Sequence, residues 1–332
     1  MHLPNSKIHN TLTLFLAFSL PLERHISPIL IALLFLNWVM DRNWKDKIEN
    51  YKKHKIALLP CLLYLLYCIG MFYTENIAFG LKDLETKLSL LLLPLLFASQ
   101  PSIPLKKLNQ VLHYFTLGCG FAVILCYAHS LFLYYDEIQQ VKNGTLHDVY
   151  INVNFFFSNH LSFFMHPSYF AMYLGLSAIY ILSMLFFSGT PETIKEKIIF
   201  SAALFVFTIT IFFLASRMGI IVLILIWLGT IAFFVIKKKY YFIGIGSFLL
   251  LTTFLFLFYK NSKIIASRFD YTLNTLLKKP PDKTSSESST VRVLIWGQAV
   301  NLIKANPVTG VGTGDIKNRL LEKYKAEGMT GA

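Results

Sequence analysis

The chain predicts an all-α fold, a polytopic transmembrane helix bundle with a large outer helical loop. Three observations carry that prediction. Apolar runs near bilayer length recur along most of the sequence. Only 15% of the 332 residues are charged, against roughly 25% in a typical soluble chain, and mean hydropathy is +0.54. Short lysine-rich clusters then fall at alternate boundaries between the runs. The 30 phenylalanines concentrate in those runs, as residues facing lipid would.

Nine runs approach the roughly 20 apolar residues needed to cross a bilayer. They cover residues 8–22, 26–40, 56–73, 77–99, 108–135, 166–187, 198–215, 218–236 and 241–259. The first is followed by Glu23-Arg24 and lacks a small-residue cleavage site, so it reads as a span and not as a signal peptide. The fourth carries Lys82, Asp83, Glu85 and Lys87, and is expected to begin as an interfacial helix. Basic short loops favour the cytoplasm, which places 41–55 there. Alternation brings Lys106-Lys107, Lys195, Lys197 and the lysines at 237–239 to the same side. It puts 136–165, the turn at Ser216-Arg217 and everything after Lys260 outside. The expected division is a transmembrane bundle over 1–259 and an outer loop over 260–332.

The formal net charge of +13 is read through the same pattern. Lysines flanking spans orient the chain and meet anionic membrane lipid, which leaves no call for nucleic acid as a partner. Cys61, Cys68, Cys119 and Cys126 lie inside apolar runs and behave as small buried hydrophobes. No zinc spacing or disulfide framework is present.

Within the outer loop, the proline- and serine-rich stretch from Lys279 to Thr290 reads as a linker. Thr290 is placed to cap a helix from Val291, whose apolar positions fall at near-helical spacing. Asn306-Pro307 ends that helix, since proline disfavours helix in the residue before it. Gly310, Gly312 and Gly314 suit a tight turn. A second helix is expected from Asp315 to about Glu327, stopping at Gly328.

Arg217 and Arg292 are the catalytic candidates. Arg217 lies between two apolar runs with almost no loop, close to the outer surface; a snorkelling interfacial arginine is the bland alternative. Arg292 lies near a helix start, where its planar fork and free backbone N–H groups suit an anion; a solvated face is the alternative. Ser216, His166, Trp296, Gly312 and Gly314 are the substrate-binding candidates. The glycine run follows no strand, so a tight turn is the plainer role than a nucleotide cradle. His160 and His166 have no acid between them, and neither a metal nor a cofactor is expected.

Leu214-Ala215-Ser216-Arg217-Met218-Gly219, then Arg292 through Trp296, then the turn from Asn306 to Gly314 occur in that order. Residues from about 200 to 325 thereby resemble the O-antigen ligase / Wzy polymerase superfamily of bacterial membrane glycan transferases. The resemblance implies a multi-pass protein of the inner (cytoplasmic) membrane acting at its periplasmic face. It implies metal-independent transfer of a glycan from undecaprenyl diphosphate to a lipid A core, a second glycan or a protein, with Arg217 and Arg292 holding the diphosphate. The family carries a further histidine on a later span, whereas this sequence ends at Gly331-Ala332 within the loop; a continuation carrying that histidine is expected. A lipid-linked glycan transporter or flippase, and an inactive remnant that binds the donor, stand as alternatives.

Overall fold

The structure is a computed structural model that describes residues 3–22, 25–101, 103–143, 153–186, 193–238 and 288–329, with isolated positions 246, 249 and 253. Every regular element among them is helical, so the chain is all-α. In chain order the helices are α1 (Leu3–Ser19), α2 (Ile26–Met40), α3 (Trp44–Lys53), α4 (Leu58–Gly70), α5 (Ile77–Lys87) and α6 (Ser89–Ala98). There follow α7 (Leu105–Lys142), α8 (Ser158–Leu161), α9 (Pro167–Phe186), α10 (Ile194–Phe213) and α11 (Arg217–Lys238). The last two are α12 (Ser288–Ala305) and α13 (Ile316–Ala326).

Two compact units divide the chain. One holds Met1–Met40 and Ile103–Asn261, the other Asp41–Ser102 and Ser262–Ala332. Residues 41–102 thus group with the C-terminal stretch and not with the rest of the apolar helices.

The first unit is built on α7, α9, α10 and α11. Cys119, Cys126, Phe170, Leu174, Ile181, Phe207 and Ile211 form its buried centre. Hydrophobic exclusion does not hold helices together in lipid, so close van der Waals packing at small residues must. A Cβ on Gly118 of α7 would lie 2.1 Å from the Phe18 carbonyl oxygen of α1. A Cβ on Gly219 of α11 would lie 2.5 Å from Ala171 Cβ of α9. Gly175, one turn beyond Ala171, faces Val222, one turn beyond Gly219. Helices α9 and α11 are therefore parallel, as alternate spans should be.

Among the described residues three helices, α7, α9 and α10, are long and apolar enough to cross a membrane, and α3 with Lys55–Gly70 forms a bent pair that passes the same test jointly. Ile26–Met40 and Arg217–Phe233 are shorter apolar helices. The run 77–99 breaks at Leu88 into α5 and α6. Its charged half is α5, where Lys87 pairs with Asp83 and sits 4.2 Å over the Tyr67 ring. The run 241–259 lies outside the described residues apart from the isolated positions.

Helix α7 corrects one boundary. Its 38 residues span about 57 Å, far beyond the roughly 30 Å hydrocarbon layer. It continues to Lys142, through residues assigned to the outer loop, because Asp136 to Lys142 holds no proline or glycine to stop it. Helix α10 likewise starts four residues early, at Ile194. Thr193 Oγ1 accepts the Glu196 N–H at 3.2 Å in a capping box whose return bond runs from the Thr193 N–H to the Glu196 carboxylate.

The α9–α11 contact yields a stability prediction. Gly219→Val is expected to destabilise the solubilised protein by about 1–3 kcal/mol through overpacking. Ala171→Gly in the same chain should restore part of that loss, and thermal unfolding of the two variants measures both effects.

Candidate functional site

The Ser-Arg junction joins α10 to α11 with almost no loop. Leu214 closes α10, its N–H bonded to the Thr210 carbonyl at 2.9 Å. Ala215 then takes a left-handed φ of 47°, a conformation that costs a residue with a Cβ. Ser216 is buried, and its Oγ accepts the Gly219 N–H at 3.2 Å, capping α11. Arg217 follows as the first helical residue and is half-buried. Its guanidinium stands where the α11 dipole is positive, an arrangement that repels cations and favours an anion. His166 directly precedes Pro167, the first residue of α9; it is exposed, and its Nδ1 accepts the Ser168 N–H at 3.2 Å. Because α9 and α11 are parallel, His166 and Arg217 share one end of that helix pair.

The second unit holds Arg292, Trp296, Gly312 and Gly314. Helix α12 begins by Ser288, earlier than the cap assigned to Thr290, which lies buried in the first turn. Ser288 and Ser289, assigned to the linker, are already helical, and the rest of that stretch lies outside the described residues. Arg292 and Trp296 are both exposed and stand four residues apart on one face. Asn306 closes the helix, its N–H reaching the Leu302 carbonyl at 3.1 Å.

The glycine turn has a partner that the sequence did not reveal: the loop between α4 and α5. Thr313 Oγ1 donates to the Tyr67 carbonyl at 2.7 Å, and the Thr313 N–H to the Gly70 carbonyl at 3.2 Å. The Gly314 N–H donates to Thr74 Oγ1 at 3.1 Å. Tyr73 donates its hydroxyl proton to the Thr309 carbonyl. Asp315 closes the clasp, its two carboxylate oxygens accepting the N–H groups of Glu75 and Asn76, each at 2.8 Å. Asn76 in turn caps α5 through the Phe79 N–H. Asp315 sits at the N-cap of α13 but makes no side-chain bond to its own helix.

The three glycines serve two physical ends. Gly310 and Gly312 have φ of 70° and 89°, the left-handed turn angles expected of them. Gly314 is needed for closeness: a Cβ there would lie 2.1 Å from the Asn76 carbonyl oxygen. Beside the turn is a cavity of about 260 Å³ lined mainly by apolar groups, among them Leu66, Tyr73, Leu302, Ile303, Val311 and Leu320. A polar hollow of about 370 Å³ lies on the Asp315 side, between Glu75, Asn76, Asn318, Arg319 and Glu322. Among the described residues no group of three metal-ligating side chains stands together.

The N–H groups of Glu75 and Asn76 hold the Asp315 carboxyl below its ordinary 3.8. A depressed carboxylate pKa stabilises the clasp at pH values above the ordinary value, and that contribution fades as pH falls through the lowered one. At neutral pH, Asp315→Asn is expected to speed amide exchange across 70–80 while leaving α9 unchanged. Hydrogen-exchange mass spectrometry reads both regions in one experiment.

Residues 202–332 match the family model described as O-antigen ligase. No curated protein and no solved structure matches the chain. That stretch includes the Ser216-Arg217 junction, Arg292 and the clasped glycine turn, and over it the chain is similar to the O-antigen ligase family.

Proposed function

We propose that the chain is the donor-handling part of a glycan transferase of the cell envelope, working on a lipid-linked glycan at the periplasmic face of the bacterial inner membrane. The donor is a glycan on undecaprenyl diphosphate; the acceptor is a lipid A core sugar, a second glycan or a protein hydroxyl. One observation carries the reading. Arg217 opens α11 and Arg292 lies in the second turn of α12, so each arginine stands near a helix end whose dipole favours anions. Both lie within the matched residues.

The chemistry follows from where charge develops. As the bond between the sugar and the diphosphate breaks, the electron pair leaves with the phosphate oxygen. The acceptor oxygen attacks the sugar carbon and loses its proton. The diphosphate therefore gains negative charge in the transition state, and preorganised arginines stabilise that charge more than the ground state. Arginine suits this task because two of its N–H groups meet two phosphate oxygens at once. Trp296, one turn beyond Arg292 on the same face, is assigned to packing against the sugar or the lipid next to the diphosphate. His166 and Ser216 are assigned to the donor site at the Arg217 end, with Ser216 acting through its cap on α11. Gly312 and Gly314 serve by letting the turn close on residues 70–76.

The carrying experiment is transfer of glycan from undecaprenyl diphosphate to acceptor in proteoliposomes, using the intact protein that bears this chain. Arg217→Ala and Arg292→Ala are each expected to lower transfer about 10²- to 10³-fold with membrane levels unchanged. Lysine at either position should recover little, because it lacks the fork. Full activity in both alanine variants would overturn the reading. Movement of lipid-linked glycan across the bilayer without product would favour a transporter instead.

A further inference from the structure

Helix α3 has no part in the proposed transfer, yet its surface is sharply divided. At about 100° per residue, its positions fall into three arcs. The first arc holds Lys47, Asn50 and Tyr51 and faces the protein. Lys47 is 4% exposed, with Nζ 3.7 Å from Asp41 Oδ2 and 4.6 Å from the Trp44 ring centre. Asn50 Nδ2 donates to the Ser99 carbonyl at 3.3 Å, and the Tyr51 hydroxyl donates to the Ala57 carbonyl at 3.3 Å.

The second arc holds Trp44 and Ile48, which are 44% and 55% exposed and lie one turn apart. Lys45 and Lys52 border this apolar edge on the side away from the protein, both exposed and outside the ion pairs that engage Lys47 and Lys53. The third arc, Asp46, Glu49 and Lys53, mixes both signs, with Lys53 paired to Glu49 at 3.5 Å. An apolar edge bordered by lysines is the surface that a helix lying in a membrane interface presents: the rings and branched chains dip in, and the ammonium groups reach the phosphates.

The direction of the chain agrees. After Lys53 it turns by 95° into the segment Lys55–Gly70. That segment exposes Ile56, Leu59, Leu62, Leu65, Leu66 and Ile69, a lipid-facing pattern. A helix perpendicular to a lipid-facing helix lies along the membrane surface. The stretch 41–55 has six basic and three acidic residues, so its charge complements an anionic surface.

We propose that α3 is an interfacial helix that binds anionic phospholipid headgroups, with Lys45 and Lys52 meeting the phosphate and Trp44 and Ile48 set into the acyl boundary. This assignment is independent of the proposed transfer reaction. The expected preference is about fivefold per lysine over zwitterionic lipid.

The test places the intact chain in phosphatidylcholine nanodiscs, with Trp38, Trp227 and Trp296 replaced by phenylalanine so that Trp44 alone fluoresces. Phosphatidylglycerol or phosphatidylcholine brominated high on its chains is added at equal mole fraction. Both should quench Trp44, and the brominated phosphatidylglycerol several times more strongly. In the Lys45→Gln, Lys52→Gln double variant the two should quench alike. Absence of quenching by either lipid would show α3 held away from the bilayer, and equal quenching in the unaltered helix would remove the headgroup preference; either result overturns the proposal. Lipid retained by the tryptophan-intact protein through detergent exchange gives a second measurement. Phosphatidylglycerol retention should fall in K45Q/K52Q and hold in Lys323→Gln, Lys325→Gln, and equal retention in all three proteins is also an overturning result.

Discussion

Two backbone N–H groups at the entrance to α5 need an acceptor, and Asp315 supplies it from 239 residues away. Asn76 cannot serve them, because its own side chain is committed to the Phe79 N–H. Unpaired backbone groups near a membrane surface carry a desolvation cost that only a well-placed partner removes. Meeting that need fixes much else. Gly314 must lack a Cβ for the strand of backbone to pass Asn76, and Gly312 must turn left-handed beside Thr74. Thr313 then falls within reach of Tyr67 and Gly70. The end of α12 and the start of α13 leave the turn in directions set by these bonds. The glycine turn is thus a docking piece, fitted to a loop between two earlier helices.

What could be read in advance follows a physical line. Local rules located the features that local physics decides. Proline after Asn306 ended α12, and glycine after Glu327 ended α13, where Gly328 has φ of 67°. Gly310 and Gly312 turned as their lack of a side chain allows. The charged half of 77–99 separated from its apolar half at Leu88. What stayed hidden was pairing at a distance. Nothing in Tyr73-Thr74-Glu75-Asn76 marks it as the seat of a turn some 240 residues later, since a single sequence carries no record of which loops meet. Asp315 was legible only as the start of the second helix, and not as the acceptor for the N–H groups of Glu75 and Asn76. The overrun of α7 past residue 135 had a readable cause, a stretch of helix formers without a breaker, which hydropathy alone passes over.

The two arginines differ in how their helices prepare them. Arg217 follows a left-handed Ala215 and a buried serine cap, so its Cα is held by a strained, capped corner. Such strain persists only where the surroundings over-determine it, and it is frequent where function requires a fixed geometry. Arg292 instead stands exposed on α12, whose far end is tied down by the clasp. One guanidinium is positioned by local backbone and the other by an anchor about four turns away along its helix.

The charge-derived orientation also has structural consequences of a kind that charge cannot supply. Alternation assigns residues 73–77 and everything after 260 to one side of the membrane. The hydrogen bonds from Asp315, Thr313 and Gly314 to residues 67–76 require that those segments share a side, whichever side it is. Alternation also makes α9 and α11 parallel, and their paired small-residue contacts run in the same sense. It makes α7 and α9 antiparallel, and the rings agree: His113 meets Tyr180 toward one end, while His129 stacks on Phe163 at the other. Lysine distribution and side-chain packing are separate forces, one acting on the chain as it enters the membrane and the other after it has folded. Their agreement at three places means that a topology shifted by one span would have to break hydrogen bonds and helix contacts as well as the positive-inside bias.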